Sequence, residues 1–161
     1  DEHAINIAKK MNIKHFALSF TNTHQDVLKF NELLKNKTKI FKIETKKSIK
    51  NLKKIISAGD NFLIDRGDLS KDVQIEMIPL IQRKILKIAQ LKKKKIYVAT
   101  NFLESMINNR YPNRGEVNDI YNTLESGAAG LVLAAETAVG KYPKECVIFL
   151  KKVIKVFNSY K

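Results

Sequence analysis

Along this chain, short apolar runs alternate with longer stretches whose apolar residues recur every three to four positions. That rhythm points to successive βα units. Strand-like runs fall at His15 to Phe20, Lys39 to Glu44, Asn61 to Asp65, Ile96 to Thr100 and Gly130 to Ala134. Between them the spacing predicts helices. Ile5, Ala8 and Met11 mark the first, Asp26 to Leu34 the second, and Ile49 to Ile56 a third, with Ser48 as its cap and Gly59 as its end. A long helix is expected from Ile75 to Leu91, with Ile78, Ile81, Ile85 and Ile88 on one face and Pro79 in its first turns. Leu103 to Ile107, Glu116 to Glu125 and a last helix opened by Pro143 and ending near Phe157 complete the series. Arg66-Gly67-Asp68-Leu69-Ser70 is expected to be a loop.

The result is an α/β chain of about five strands, read as one domain over residues 1–161. Two architectures host such a rhythm, an open doubly wound sheet and an eight-stranded barrel. No Gly-x-Gly-x-x-Gly follows any strand, so a dinucleotide fold has no support. A barrel needs about eight strands to close, and five leave two edges. Periodicity alone leaves both open.

Composition narrows the function classes. No apolar run approaches the roughly 20 residues of a membrane-spanning helix. Asp1-Glu2-His3 is an acidic, polar start unlike a signal peptide, and the missing initiator Met suggests numbering that begins inside a longer gene product. Cys146 is the single cysteine, which excludes an intramolecular disulfide and a cysteine-rich zinc site; its apolar neighbours predict core packing. The net charge of +14 invites a nucleic-acid reading. Only Arg66, Arg83, Arg110 and Arg114 carry guanidinium groups, however, and lysine is a poor reader of base edges. The expectation is no specific nucleic-acid partner and a positive surface able to attract a phosphorylated anion.

Functional groups of a βα protein belong at the carboxyl ends of its strands. Lys42 and Glu44 break the apolar pattern there and, two residues apart, share a face opposite Phe41 and Ile43. A solvated edge is the plain alternative; buried, the pair needs partners. Arg66-Gly67-Asp68 follows the next strand. Asp68 can join Glu44 as a hard oxygen ligand for Mg2+, and the backbone N–H groups about Gly67 and Asp68 suit an anion. Gly67 presents no Cβ to block that approach. Thr100 ends the next strand, where its hydroxyl either binds a substrate carboxylate or caps the following helix.

Lys-Ile-Glu at 42–44, Asp-Arg-Gly-Asp-Leu-Ser at 65–70, Ala-Thr-Asn-Phe-Leu-Glu-Ser-Met at 99–106, Pro-Asn-Arg-Gly-Glu-Val-Asn-Asp at 112–119 and Ala-Glu-Thr-Ala-Val-Gly-Lys-Tyr-Pro at 135–143 occur in order. Together they resemble the pyruvate kinase barrel from about its fourth strand to its eighth, over essentially the whole chain. The resemblance implies a partial (β/α)8 barrel. It also implies phosphoryl transfer between phosphoenolpyruvate and ADP, giving pyruvate and ATP, with Mg2+. By it, Lys42 matches the catalytic lysine, Glu44 and Asp68 match metal ligands, and Lys42, Gly67, Asp68 and Thr100 match residues that hold phosphoenolpyruvate. It further implies a cytoplasmic homo-oligomer, with an organelle as the alternative if an upstream targeting segment has been removed.

The groups that bind nucleotide and K+ in that family, its lid and its carboxyl-terminal regulatory domain have no counterpart in these residues. ADP use is therefore expected only when the missing strands are supplied. Asp65 stands where the family usually has alanine, Ser70 for glycine, Ala134-Ala135 for Ser-Gly and Asn101-Phe102 for Gln-Met. Two alternatives stay open: Mg2+-dependent enolate chemistry on pyruvate or another oxo acid without nucleotide, and a non-catalytic half-barrel acting in assembly or regulation. Glu104, Arg114, Glu116, Asp119 and Glu136 are read as structural.

Overall fold

Helix starts are written into the sequence as reciprocal caps. The Thr23 hydroxyl accepts the Asp26 N–H at the head of α2 (His24–Leu33), while Asp26 accepts the Thr23 N–H at 2.7 Å. Thr45 and Ser48 do the same for α3 (Lys46–Lys50), with N···O distances of 3.0 and 3.1 Å. Asn113 and Glu116 repeat the arrangement for α7 (Arg114–Glu125). Ser48 is thus the third residue of a helix that Thr45 caps. The single helix expected from Ile49 is instead two, α3 and α4 (Leu52–Ala58), broken at Asn51.

The computed structural model describes residues 2–160. Its remaining elements are α1 (Glu2–Lys10), β1 (His15–Leu18), β2 (Thr38–Ile43), β3 (Asn61–Asp65), α5 (Arg66–Asp72), α6 (Ile78–Leu91), β4 (Lys95–Ala99), β5 (Gly130–Val132), α8 (Ala135–Ala138) and α9 (Pro143–Ser159). Short 3-10 turns cover Ile75–Met77 and Glu104–Ile107. The segment expected as a loop after β3 is the helix α5. Asp65 caps it by accepting the Asp68 N–H, and Leu69 anchors it in the core. Two strands run shorter than the apolar runs suggest: Ser19 and Phe20 lie beyond β1, and Leu133 and Ala134 beyond β5.

All five strands are parallel and pair in sequence order, β1-β2-β3-β4-β5. A doubly wound sheet reverses direction at a switch point; this one does not. Parallel crossovers are almost always right-handed, so an unreversed order carries every helix to the same face. Burial agrees. Phe41, Ile43, Phe62, Ile64, Ile96 and Val98 are buried under the helices, whereas the residues between them, Ile40, Lys42, Leu63 and Tyr97, are only half-buried. One covered face and one bare face is the wall of a barrel, and this settles the choice that periodicity left open. Among the described residues, β1 and β5 each pair with one neighbour only.

The covered face is packed by aromatics. The Phe41 ring lies 5.9 Å from Phe30 and 5.8 Å from Phe62, centroid to centroid. Gly59 follows α4, but its backbone is extended (φ −124°) rather than left-handed. Its role is space: a Cβ there would lie 2.8 Å from both the Phe41 and Phe62 rings. Cys146 is buried and free, as its apolar setting predicts. No helix among the described residues is long and apolar enough to cross a membrane.

Candidate active site

Three strand ends meet at one rim of the sheet. β2 supplies Lys42 and, one residue past its end, Glu44; β3 supplies Asp65 and leads directly into Gly67 and Asp68; β4 is followed by Thr100. Parallel registry makes this convergence automatic, because Lys42 pairs with Leu63 and Asp65 with Ala99.

Lys42 sits between two carboxylates. Its Nζ lies 2.9 Å from Glu44 Oε2 and 3.0 Å from Asp65 Oδ2. The Glu44 side chain is fully buried, and its Oε1 accepts the Phe20 N–H from the loop after β1. Oε2 has no directed hydrogen bond, only the charge contact with Lys42. Burial works to lower the Lys42 pKa, but the contacts with Glu44 and Asp65 outweigh it and raise it above the usual lysine value. Burial likewise works to raise the Asp65 pKa. The Lys42 contact, the Thr100 hydroxyl and the Asp68 N–H together overcome it and hold the carboxyl below its usual range.

Thr100 reaches this cluster through an uncommon backbone. Its φ is +81°, and a β-branched residue rarely adopts that region. The Thr100 hydroxyl donates to Asp65 Oδ1 at 3.1 Å. Arg66 holds the bend: its guanidinium donates to the Thr100 carbonyl from both Nε and Nη2, to the Ala99 carbonyl from Nε, and to Asp119 Oδ2 at 2.7 Å from Nη1. The same group lies 4.2 Å over the Phe102 ring. Gly67 faces Thr100, and a Cβ on it would come within 3.1 Å of Thr100 Cγ2 and 3.5 Å of Asp65 Oδ1.

Glu44, Asp65 and Asp68 can each present a carboxylate oxygen within 4.8 Å of the others. Three hard oxygen donors, one of them a buried atom lacking a directed bond, fit a divalent cation such as Mg2+. Asp68 Oδ1 pairs meanwhile with Lys71, whose side chain is largely exposed and free to swing away.

All five sequence candidates therefore lie at this rim. Asp65 and Arg66 were not among them. Asp65 showed itself only as an acidic departure beside Arg-Gly-Asp, and its role as the hub of Lys42, Thr100 and Asp68 depends on side-chain direction. Arg66 could have been suspected as one of four arginines in a lysine-rich chain. Three of the residues read as structural take such places: Glu116 accepts from Ser105 and, in the α7 capping box, from the Asn113 N–H, Asp119 receives Arg66, and buried Glu136 accepts the Ala134 N–H.

A one-faced parallel sheet with lysine, carboxylates and a hydroxyl at its carboxyl rim defines part of a (β/α)8-type barrel with a polar site at the strand ends. The family model described as pyruvate kinase, barrel domain, matches residues 1–147. The chain belongs to the pyruvate kinase family. It is 43% identical over 159 residues to a pyruvate kinase of Thermotoga maritima, an alignment covering 96% of this chain and 34% of the relative. It is 39% identical over 160 residues to a pyruvate kinase of Methanocaldococcus jannaschii, covering 97% and 36%. Pyruvate kinase isozyme G, chloroplastic, of Ricinus communis is 42% identical over 139 residues, covering 84% and 33%. The chain thus spans about a third of the length of the curated relatives it matches.

Proposed function

We propose that this chain supplies the phosphoenolpyruvate and Mg2+ part of a pyruvate kinase site. The observation that carries the reading is the meeting of Lys42, Glu44, Asp68 and Thr100 at one rim, with Lys42 Nζ held at 2.9 Å from Glu44. The relatives' shared name, pyruvate kinase, supplies the reaction. In it the phosphoryl group of phosphoenolpyruvate passes to ADP, and the enolate left behind takes up a proton to become pyruvate.

Such transfer asks a protein mainly for positioning and for charge opposite the phosphoryl and enolate oxygens. Lys42 provides that positive charge, and its raised pKa keeps it protonated at neutral pH. Thr100 Oγ1 and the backbone N–H groups at Gly67 and Asp68 orient the substrate's carboxylate. Glu44 and Asp68 would hold Mg2+, with Asp65 within reach as a third oxygen donor. When bound, Mg2+ would supply further positive charge opposite the substrate's oxygens.

The groups that take ADP and K+ belong, in this reading, to strands that close the bare face and pair the free edges of β1 and β5. Those strands come from the rest of a longer polypeptide or from another chain, and the working state is a homo-oligomer. A cytoplasmic location belongs to the proposal. The chloroplastic relative makes an organelle the alternative.

Calorimetry tests the reading: phosphoenolpyruvate is titrated with and without Mg2+ into the wild-type chain, Lys42→Ala and Glu44→Gln. Metal-dependent binding that falls at least tenfold in both variants is expected. Binding that ignores Mg2+, or survives both substitutions, would overturn it.

A further inference from the structure

Three donors gathered at the rim, Lys42 Nζ, the Thr100 hydroxyl and the Asp68 N–H, are each occupied by a carboxylate of this chain. Asp65 Oδ2 lies 3.0 Å from Lys42 Nζ, and Asp65 Oδ1 accepts the Thr100 hydroxyl at 3.1 Å and the Asp68 N–H at 3.4 Å. An ammonium, a hydroxyl and a backbone amide converging on one carboxylate form a complete anion site. Asp65 is not there to fill a hole in the core. It is the last residue of β3, its side chain is 19% exposed, and its charge adds to those of Glu44 and Asp68.

We propose that Asp65 is a specificity-determining residue that occupies the carboxylate subsite in cis and competes with anionic ligands for Lys42, Thr100 and the Asp68 amide. This rests on the reading that Thr100 and the Asp68 amide bind the substrate carboxylate while Lys42 faces its phosphoryl and enolate oxygens. Two consequences follow from charge and geometry. A ligand's carboxylate must displace Asp65 from Thr100 and the Asp68 amide, its phosphoryl or enolate oxygen must displace Asp65 from Lys42, and once displaced Asp65 remains a like charge a few ångströms away. The same residue favours cations, because it turns a pair of rim carboxylates into three. The site as built discriminates against a bare anion and in favour of one that arrives with a divalent metal. Displaced from Lys42, the Asp65 carboxylate remains beside Asp68 and Glu44, where a metal can take it up.

The test compares wild type, Asp65→Ala and Asp65→Asn. Pyruvate and phosphoenolpyruvate are titrated separately, with and without Mg2+, by calorimetry and by the NMR shift of the Asp68 amide. Asparagine keeps a side-chain oxygen that can cap α5, so it separates loss of charge from loss of the cap. Without Mg2+, pyruvate and phosphoenolpyruvate are expected to bind Asp65→Ala at least tenfold more tightly than wild type, and with Mg2+ the gain should shrink because the variant has lost an oxygen donor. Asp65→Asn should fall between them, with the Asp68 amide shifting in each case.

Equal affinities in the three proteins would overturn the proposal. So would no binding of either anion to the variants at millimolar concentration, or failure of Asp65→Asn to fold, which would make Asp65 a structural ion-pair residue. Failure of the pyruvate kinase reading has a different signature: pyruvate tightens in the variants, but phosphoenolpyruvate gains no preference and Mg2+ has no effect. Conversely, Mg2+-dependent phosphoenolpyruvate binding of equal strength in wild type and variants keeps that reading and removes the competitor.

Discussion

Lys42 Nζ bridges Glu44 and Asp65, two carboxylates from neighbouring strands, at 2.9 and 3.0 Å, while Glu44 is fully buried. Removing the lysine leaves a buried carboxylate without its counter-charge. Lys42→Met is expected to destabilise the chain by about 3 kcal/mol, the scale for breaking a largely buried pair from one side. Lys42→Met combined with Glu44→Gln should cost less than the sum of the two single changes. Urea unfolding of the four proteins in a double-mutant cycle measures this, and strict additivity would contradict it.

The same bridge sets how stability follows pH. Asp65 is lowered from 3.8, so its contribution is present above the unfolded value and drains away as pH falls below about 4. Lys42 is raised from 10.5, so its contribution is complete below that value and is lost as pH climbs beyond about 10.5. Between these limits neither residue's contribution changes with pH. Thermal melts of wild type and Asp65→Asn from pH 2.5 to 7 should converge toward the acid end. Parallel curves would show that Asp65 gains nothing from its partners.

Thr100 is held at φ +81° by the Arg66 fork on its carbonyl. Glycine accepts that backbone freely, whereas alanine keeps the strain and loses the hydroxyl. Thr100→Gly is therefore expected to be about 1 kcal/mol more stable than Thr100→Ala, reversing the usual order of the two residues. Arg66→Lys should cost about 2 kcal/mol, since an ammonium cannot reproduce the fork to Thr100 and Asp119 or lie flat over Phe102. Denaturant midpoints decide both.

Gly59→Ala probes the packed face. A methyl group 2.8 Å from two phenyl rings must push them apart, and overpacking of this kind costs about 1–3 kcal/mol. The extended φ of −124° adds no backbone strain, so Phe41→Leu introduced together with Gly59→Ala should recover part of the loss. No recovery would place the cost in the backbone instead.

Much of this was legible in the sequence because period-2 and period-3.6 patterns are imposed by burial. Asn61–Asp65 reads as a strand because Phe62 and Ile64 must face the helices, and that strand is found with those bounds. Where capping chemistry governs, the reading slipped. Ser48 reads as a cap but serves as the third residue of Thr45's helix, and Arg66 to Ser70 reads as a loop because Arg-Gly-Asp is turn-like, whereas it opens a helix capped by the preceding aspartate. Lys42, Glu44 and Thr100 stand out because polar residues at strand ends break an apolar pattern, whereas Gly67 and Asp68 are picked out by the Arg-Gly-Asp run and the family resemblance. The direction of the Asp65 side chain, and the four-way grip of Arg66, depend on a left-handed turn at Thr100 that no pattern of apolar residues encodes.

Within each strand, alternate residues answer to different selective demands. Phe62 and Ile64 are fixed by the helices above them, while Asp65, one step further along the same strand, touches only the rim. At the end of β3 a rim charge thus sits on a position outside the packed layer. A lineage can redraw the charge of the pocket one codon at a time, trying an aspartate where another residue stood, without renegotiating the core that holds the strands in line.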